Sequence, residues 1–210
     1  MLGYPILKFS PLYEGIFVKR YKRFLADIQL ETGEVVVAHC ANTGPMKGLL
    51  TPSARVRVSY NPSPTRKLKW TWEQVEVISG KGSSCWVGIN TLIANRLVLL
   101  AIEAGYLNNQ LGAIFKVRKE VIYGIERKSR VDLLVYPDEK NSDPRNIYIE
   151  VKNTTWTDGP VALFPDTITL RGQKHLNELI SVIPESKAIL IPCISRNDVK
   201  AFAPGDKADK

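Results

Sequence analysis

The run Ile147-Tyr148-Ile149-Glu150-Val151-Lys152 constrains this chain more than any other stretch. Side chains alternate across a strand, so Ile147, Ile149 and Val151 fall on one face and Tyr148, Glu150 and Lys152 on the other. The first face needs a core. The second sets a carboxylate and an ammonium two residues apart, groups suited to hold a divalent cation and face the water beside it. Val131-Asp132-Leu133-Leu134-Val135 offers a second carboxylate, Asp132, on what reads as the preceding strand. Two carboxylates from neighbouring strands plus a lysine suit metal-assisted attack of water on a phosphodiester. The plainer alternatives are an ion pair between Glu150 and Lys152 on an exposed sheet surface, and Asp132 as a structural partner of Arg130 or Ser129.

Charge points toward a polyanion. The formal net charge is +8, and it is uneven. Residues 1–83 carry 12 Lys and Arg against 6 Asp and Glu, while residues 84–210 carry 17 against 15. An excess concentrated in one part is easier to explain by a bound surface there than by general solubility. Cys40, Cys85 and Cys193 are odd in number and far apart, so they read as reduced, mostly buried residues of an intracellular protein. No apolar run reaches the length of a membrane span, and Met1-Leu2-Gly3-Tyr4-Pro5 lacks a signal-peptide plan. A cytoplasmic protein is expected.

Between Ile16 and Ile78 the pattern is short alternating runs broken by turns. Gly15 to Lys19, Phe24 to Leu30, Val35 to His39, Arg55 to Tyr60 and Trp72 to Ile78 read as strands. Gly33 suits a hairpin, and Asn61-Pro62-Ser63-Pro64 breaks a later connection. Such a set predicts a small β-barrel of the oligonucleotide-binding (OB) kind, spanning residues 1–83. Two stretches would face its ligand: Lys19-Arg20-Tyr21-Lys22-Arg23, and Arg66-Lys67-Leu68-Lys69-Trp70 with Trp72 beyond. Cations neutralise phosphates and flat rings stack on bases; the alternative is solvated charge over core aromatics. The segment from His39 to Gly48 could present backbone N–H groups to a phosphate, or simply end a strand and enter a loop.

From residue 84 the pattern predicts helix, three strands, helix, strand. The first helix, capped by Asn90 or Thr91, runs to about Ala104, with Leu92, Ile93, Leu97, Leu100 and Ala101 at helical spacing, and Gly105 ends it. Strands follow at Ile114 to Val121, Arg130 to Tyr136 and Asn146 to Asn153. A helix from Thr169 or Leu170 to about Ile183 uses Leu176, Leu179, Ile180 and Ile183. Pro192 marks the last strand, Ala188 to Cys193, as an edge or a strand end. This order fits an α/β mixed sheet flanked by helices over residues 84–210.

Asp132 followed by Glu150-Val151-Lys152, in this order of elements, resembles the PD-(D/E)xK nuclease superfamily with its restriction-endonuclease-like fold. A closer resemblance is to the sugar fermentation stimulation protein family (SfsA). It rests on Arg20 to Asp27, on His39-Cys40 with Asn42-Thr43-Gly44, and on Ser129-Arg130-Val131-Asp132. Glu150-Val151-Lys152-Asn153, Phe164-Pro165-Asp166 and Arg171-Gly172-Gln173-Lys174-His175-Leu176 complete it. The resemblance implies an OB-like barrel, a nuclease-like second domain, and DNA binding linked to regulation of sugar (maltose) metabolism. It also implies a glutamate on the first helix where this chain has Leu100, leaving Glu103 one turn on as the third acid. Members continue past this C-terminus, so Lys207 to Lys210 is expected to be a cut edge.

On that footing Asp132, Glu150 and the carbonyl of Val151, with Glu103 as a further candidate, would ligate Mg²⁺ or Mn²⁺. Lys152 would orient or deprotonate the attacking water and steady the transition state. Gln173 and His175 would approach the phosphate or Lys152, and Arg171 would clamp phosphate; His175 as a helix-surface residue is the alternative. Two functions compete: a metal-dependent nuclease, favoured by the intact Asp132, Glu150 and Lys152, and a non-catalytic DNA-binding regulator, favoured by the missing acid. An enzyme acting on sugar phosphates gains little from these residues. The expected partner is nucleic acid, DNA foremost, with no membrane and with a homodimer left open.

Overall fold

The computed structural model describes residues 5–78, 82–124 and 127–209; Met1 to Tyr4, where the leader was sought, and Lys210 lie outside them. The chain packs as two compact units, one of Lys8–Ile93, Asn153–Ile168 and Ile194–Lys210, the other of Met1–Leu7, Ala94–Lys152 and Thr169–Cys193.

The first unit is built on β1 (Leu12–Tyr21), β2 (Leu25–Leu30), β3 (Val35–His39), β4 (Arg55–Tyr60), β5 (Trp70–Ile78) and β6 (Ser84–Gly88). They form one sheet in the order β3-β2-β1-β4-β5-β6, and a β3–β5 pairing closes it into the expected OB barrel. Period-two burial drives closure: Phe17, Ile28, Val36, Val56, Val58 and Val75 are buried while their chain neighbours are not, and Trp72 is buried between Thr71 and Glu73, which are buried too. Phe17 stacks on Trp72 at 5.0 Å between centroids. Gly33 turns the β2–β3 hairpin at φ 87, a conformation that side chains resist. Strand β6, absent from the expected set, pairs antiparallel with β5 and buries Cys85 and Val87. Also unexpected is a three-stranded sheet of β10 (Trp156–Asp158), β11 (Val161–Phe164) and β13 (Ala201–Pro204), in the order β10-β11-β13.

The second unit carries the α/β mixed sheet, β7 (Ile114–Tyr123), β8 (Ser129–Pro137), β9 (Ile147–Thr154) and β12 (Lys187–Ile194), in the order β12-β9-β8-β7. Pro192 sits on the outermost strand, where a missing N–H costs no ladder bond. Helix α1 (Thr91–Glu103) starts where the Asn90 side chain accepts the Leu92 N–H at 3.1 Å, and Gly105 follows it at φ 78. A single turn, α2 (Asn108–Leu111), comes next.

The stripe of the first helix lies elsewhere than the spacing predicted, and that of the second predicted helix is rotated, keeping Leu179 of the expected set. On α1 the buried residues are Ala94, Val98 and Ile102, while Leu92 is 69% exposed. They meet Leu133, Val135, Ile147, Ile149 and Val151 on one face of the sheet. On α3 (Leu170–Ser181) only Leu179 is buried, and Ile180 is 64% exposed. The residues of α3 and its cap that reach the sheet unit are His175, Glu178, Leu179 and Val182, spaced as one helix face. Leucine-rich helices offer several apolar stripes, and packing selects one. Here the choice matters, because each true stripe carries a polar residue into the site.

Candidate functional site

Strands β8 and β9 place the two carboxylates. Their registered pairing runs through Leu133↔Ile149, Leu134↔Tyr148 and Val135↔Ile147 and stops there. Past that end, the Val151 N–H, two residues beyond Ile149, donates to Asp132 Oδ2 at 2.7 Å, so a side chain takes the place of a ladder partner. From α1, Asn95 Nδ2 donates to Asp132 Oδ1, also at 2.7 Å. Both oxygens of Asp132 are therefore held.

Glu150 is deeper, 2% exposed on the opposite face from Ile149 and Val151. Its Oε1 accepts from Lys152 Nζ at 2.6 Å and lies 2.7 Å from Nδ1 of His175. Helix α3 delivers that imidazole because Thr169 caps its start, accepting the Gly172 N–H at 3.1 Å, which fixes the second turn against the sheet. The other oxygen, Glu150 Oε2, is buried with no hydrogen-bond partner.

The two acids titrate in opposite directions. Burial raises Asp132, and the nearby charge of Glu150 adds to it, against the Val151 N–H, the Asn95 amide and Lys152. Burial also pushes Glu150 upward, but the hydrogen bonds from His175 and Lys152 outweigh it and hold the carboxyl below its ordinary value. Tyr123 is pushed up by burial and then by the charges of Glu150, Glu178 and Asp132, so its phenol stays neutral.

Glu150, Lys152 and His175 thus meet, Asp132 lies near enough to feel the charges of Glu150 and Lys152, and none takes its plainer reading. The Glu150–Lys152 pair exists but is buried, Asp132 is held by Asn95 and Val151 rather than Arg130 or Ser129, and His175 faces the sheet. Gln173 is half-buried on the same helix and Arg171 is exposed on its first turn. Val151 contributes its N–H to Asp132 and its side chain to the core. Glu103 lies exposed at the end of α1, about 12 Å along the axis from Asn95 by helical rise. Among the described residues no three His, Cys, Asp or Glu side chains form a metal-holding group. Asn95 is the site residue that sequence reading missed. An amide inside an apolar stripe, beside Val98 and Ile102, was its signal.

The two basic stretches of the barrel are placed differently. Arg20 spends its guanidinium on backbone carbonyls: Nε and Nη2 on Arg23 at 2.9 and 2.6 Å, and Nη2 on Asn42 and Gly44 at 2.8 and 3.0 Å. Arg23 Nε donates to the Thr43 carbonyl at 2.9 Å. Lys19 lies 3.4 Å from Asp27, Tyr21 donates its hydroxyl to the same carboxylate, and Lys22 is exposed in the turn. In the second stretch Arg66 donates to Thr71 Oγ1, while Lys67 and Lys69 are exposed beside half-buried Trp70. Cys40 Sγ donates to the Asn42 carbonyl, and burial raises its thiol pKa.

An OB barrel in one unit and an α/β mixed sheet with helices in the other define a class of two-part proteins. Two family models match successive parts of the chain: the SfsA N-terminal OB domain matches residues 18–89, and the sugar fermentation stimulation protein RE domain matches residues 92–210, which include the segments 153–168 and 194–210 that pack with the barrel unit. The chain belongs to the sugar fermentation stimulation protein family. It is 64% identical over 209 residues to the sugar fermentation stimulation protein homolog of Prochlorococcus marinus (strain MIT 9313), covering 100% of this chain and 83% of that protein. The homolog of Synechococcus sp. (strain CC9902) is 64% identical over 205 residues, covering 98% and 82%. The solved structure of Pyrococcus furiosus SfsA in complex with Ca²⁺ is similar in fold, with a TM-score of 0.79 at 24% identity, over 99% of this chain and 83% of that one.

Among the described residues no helix is long and apolar enough to cross a membrane.

Proposed function

We propose that the protein is a cytoplasmic DNA-binding protein whose sheet carries a Mg²⁺- or Mn²⁺-dependent site for phosphodiester hydrolysis. The observation that carries this reading is Glu150 Oε2, buried and unpartnered, on a carboxylate whose charge reaches a second acid, Asp132. A buried carboxylate oxygen left bare costs free energy, and an ion is one of the few things that repays it. Asp132, Glu150 and the Val151 carbonyl would hold the cation, a hard-oxygen set that suits either metal. When bound, it polarises a phosphoryl oxygen and lowers the pKa of a bound water.

The chain's own groups do the rest. Lys152 and His175 fix Glu150 through Oε1, leaving Oε2 free to ligate. With Nδ1 committed to Glu150, Nε2 is the ring nitrogen of His175 left for a substrate contact. Lys152 supplies fixed positive charge where a phosphate gains negative charge. Asn95 and the Val151 N–H set the rotamer of Asp132.

The Ca²⁺ complex of the Pyrococcus furiosus relative supports a divalent cation but does not assign its ligands here. A second reading, a non-catalytic regulator of sugar metabolism that binds DNA, is favoured by the exposed position of Glu103 and the lack of a third converging acid among the described residues.

The test incubates single- and double-stranded DNA and RNA with the protein in Mg²⁺, Mn²⁺ or EDTA, beside Asp132→Ala and Lys152→Ala. Binding is expected to survive both substitutions and to weaken steeply with salt. Cleavage is expected to need metal and to vanish in both variants. Cutting that persists in EDTA overturns the metal site. Binding without any cutting selects the regulator.

A further inference from the structure

The barrel closes at one end only. β3 meets β5 at Ala38↔Trp70 and His39↔Thr71, so Val35–Val37 have β2 on one side and no ladder partner on the other among the described residues. Beside that open edge runs the β4–β5 connection, residues 61–69. Between them lies a cleft of about 670 Å³ lined by Val35, Val37, Tyr60, Lys67, Lys69 and Trp70, with Glu34 at its margin. Its size falls within the range of ligand sites.

The lining is unusual for solvent-facing barrel surface. Val35 is 57% and Val37 40% exposed, because their inward neighbours Val36 and Ala38 fill the core. Tyr60 is 38% exposed and packs on Trp70 at 4.8 Å between centroids, while Tyr13 meets the same indole edge-on at 5.1 Å. These contacts hold the rings in place before any ligand arrives, which lowers the ordering cost of binding. Lys67 and Lys69 stand exposed on the rim with no ion pair among the described residues. Flat apolar surface below and unpaired ammonium groups above match a strand whose bases are bare and whose phosphates lie outside. A duplex keeps its bases stacked inside and cannot use this floor.

We propose that this cleft binds single-stranded nucleic acid, with bases stacked on Tyr60 and Trp70 and against Val35 and Val37, and with phosphates on Lys67 and Lys69. The inference rests on the DNA-binding reading above and specifies its strandedness. The loop joining the fourth and fifth strands is also where the OB architecture commonly takes oligonucleotides. A peptide adding to the open β3 edge is the rival occupant; the two rim lysines against one acid disfavour it.

The experiment measures anisotropy of labelled oligo(dT), longer than the roughly 4–16 nucleotides an OB fold covers, against a hairpin duplex of matched length, on the full chain in EDTA. Oligo(dT) is expected to bind at least about tenfold more tightly than the duplex. Trp70→Leu is expected to weaken oligo(dT) binding about tenfold or more while leaving the duplex unchanged. Tyr60→Ala, at a more exposed position, does the same in a smaller degree and guards against misfolding of the Trp70 variant. Lys67→Glu with Lys69→Glu lowers the salt slope for oligo(dT) by about 1.4. Duplex binding equal to or tighter than oligo(dT), or oligo(dT) binding indifferent to Trp70, Tyr60 and both lysines, overturns the cleft while leaving DNA binding intact. Loss of both ligands in the unaltered protein overturns the DNA-binding reading as well.

Discussion

Residues 19–23 and 66–70 read alike as sequence, cations set around an aromatic ring, yet the barrel uses them in opposite ways. The first stretch ends β1 and enters a turn in which Lys22 and Arg23 take positive φ of 48° and 65°. Its arginines fold back onto the carbonyls of Arg23, Asn42, Thr43 and Gly44. The second stretch enters β5 through a loop, and its lysines stay in water. Arginine's planar fork can satisfy several carbonyl oxygens at once, and a loop such as 42–44 has carbonyls that no strand pairs. Lysine, a point charge on a flexible stem, is left for other duty. Charge count therefore locates a polyanion surface only after the donors claimed by the backbone are subtracted.

The largest expected effect follows from that subtraction. Arg20→Met removes the donors to three carbonyls in a part-buried setting and should cost about 3 kcal/mol, lowering the thermal midpoint by about 10 °C for a chain of this size. Arg20→Lys should fall in the same direction, because one ammonium cannot span Arg23, Asn42 and Gly44. Differential scanning calorimetry measures both. If Arg20→Met melts normally while the salt slope of DNA binding drops, the two stretches are alike after all and the contrast is broken.

The same contrast separates the two acids of the site. Asp132 has both oxygens occupied, by Asn95 and by the Val151 N–H, whereas Glu150 keeps one bare. Asn95→Leu should therefore destabilise by about 2 kcal/mol in urea unfolding, since a charged acceptor loses its donor in a half-buried position. Asn95→Asp should cost more without metal, because two carboxylates then face each other, and Mn²⁺ should restore much of that loss by binding only the folded state. An Asn95→Leu variant as stable as the parent would mean that Asp132 has capacity to spare, like Glu150.

Much of this was legible in the sequence, and what was not has physical causes. The face assignment of Ile147 to Lys152 follows from alternation alone and holds in the fold, as do the capping role of Asn90 and the helix start at Thr169 or Leu170. The stripe of α1 did not follow, because Leu92, Ile93, Leu97, Leu99 and Leu100 crowd the helix and hydrophobicity cannot choose among faces. Volume did: Ala94 and Val98 pack on the sheet, and leucines stay partly outside. That shift brings Asn95 to Asp132. On α3 the sheet-facing residues are half polar, so apolar spacing found Leu179 but took exposed Leu176 and Ile180 where His175 and Glu178 face the sheet. Strands β6, β10, β11 and β13 are three to five residues long, too short for periodicity to register. Nor could composition tell that Arg20 would be claimed by carbonyls 22–24 residues away.

The smallest effect on stability sharpens the opening contrast most. Lys19 and Lys22 are the members of the first stretch that keep an ammonium in water, as Lys67 and Lys69 do in the second. The Lys19–Asp27 pair is 67% exposed on the lysine side, and Asp27 also holds the Tyr21 hydroxyl, so losing Lys19 strands nothing. Lys19→Gln with Lys22→Gln, and separately Lys67→Gln with Lys69→Gln, should each change stability by less than about 0.5 kcal/mol. Their salt slopes for oligo(dT) should part. Every phosphate left without its cation takes about 0.7 off the slope, so the second pair should lower it by about 1.4 and the first by less than half as much. Only the second pair stands over a floor of rings where a backbone must pass. Equal slopes would extend the bound strand across the β1–β2 turn and make the arginine latch part of the path rather than its support.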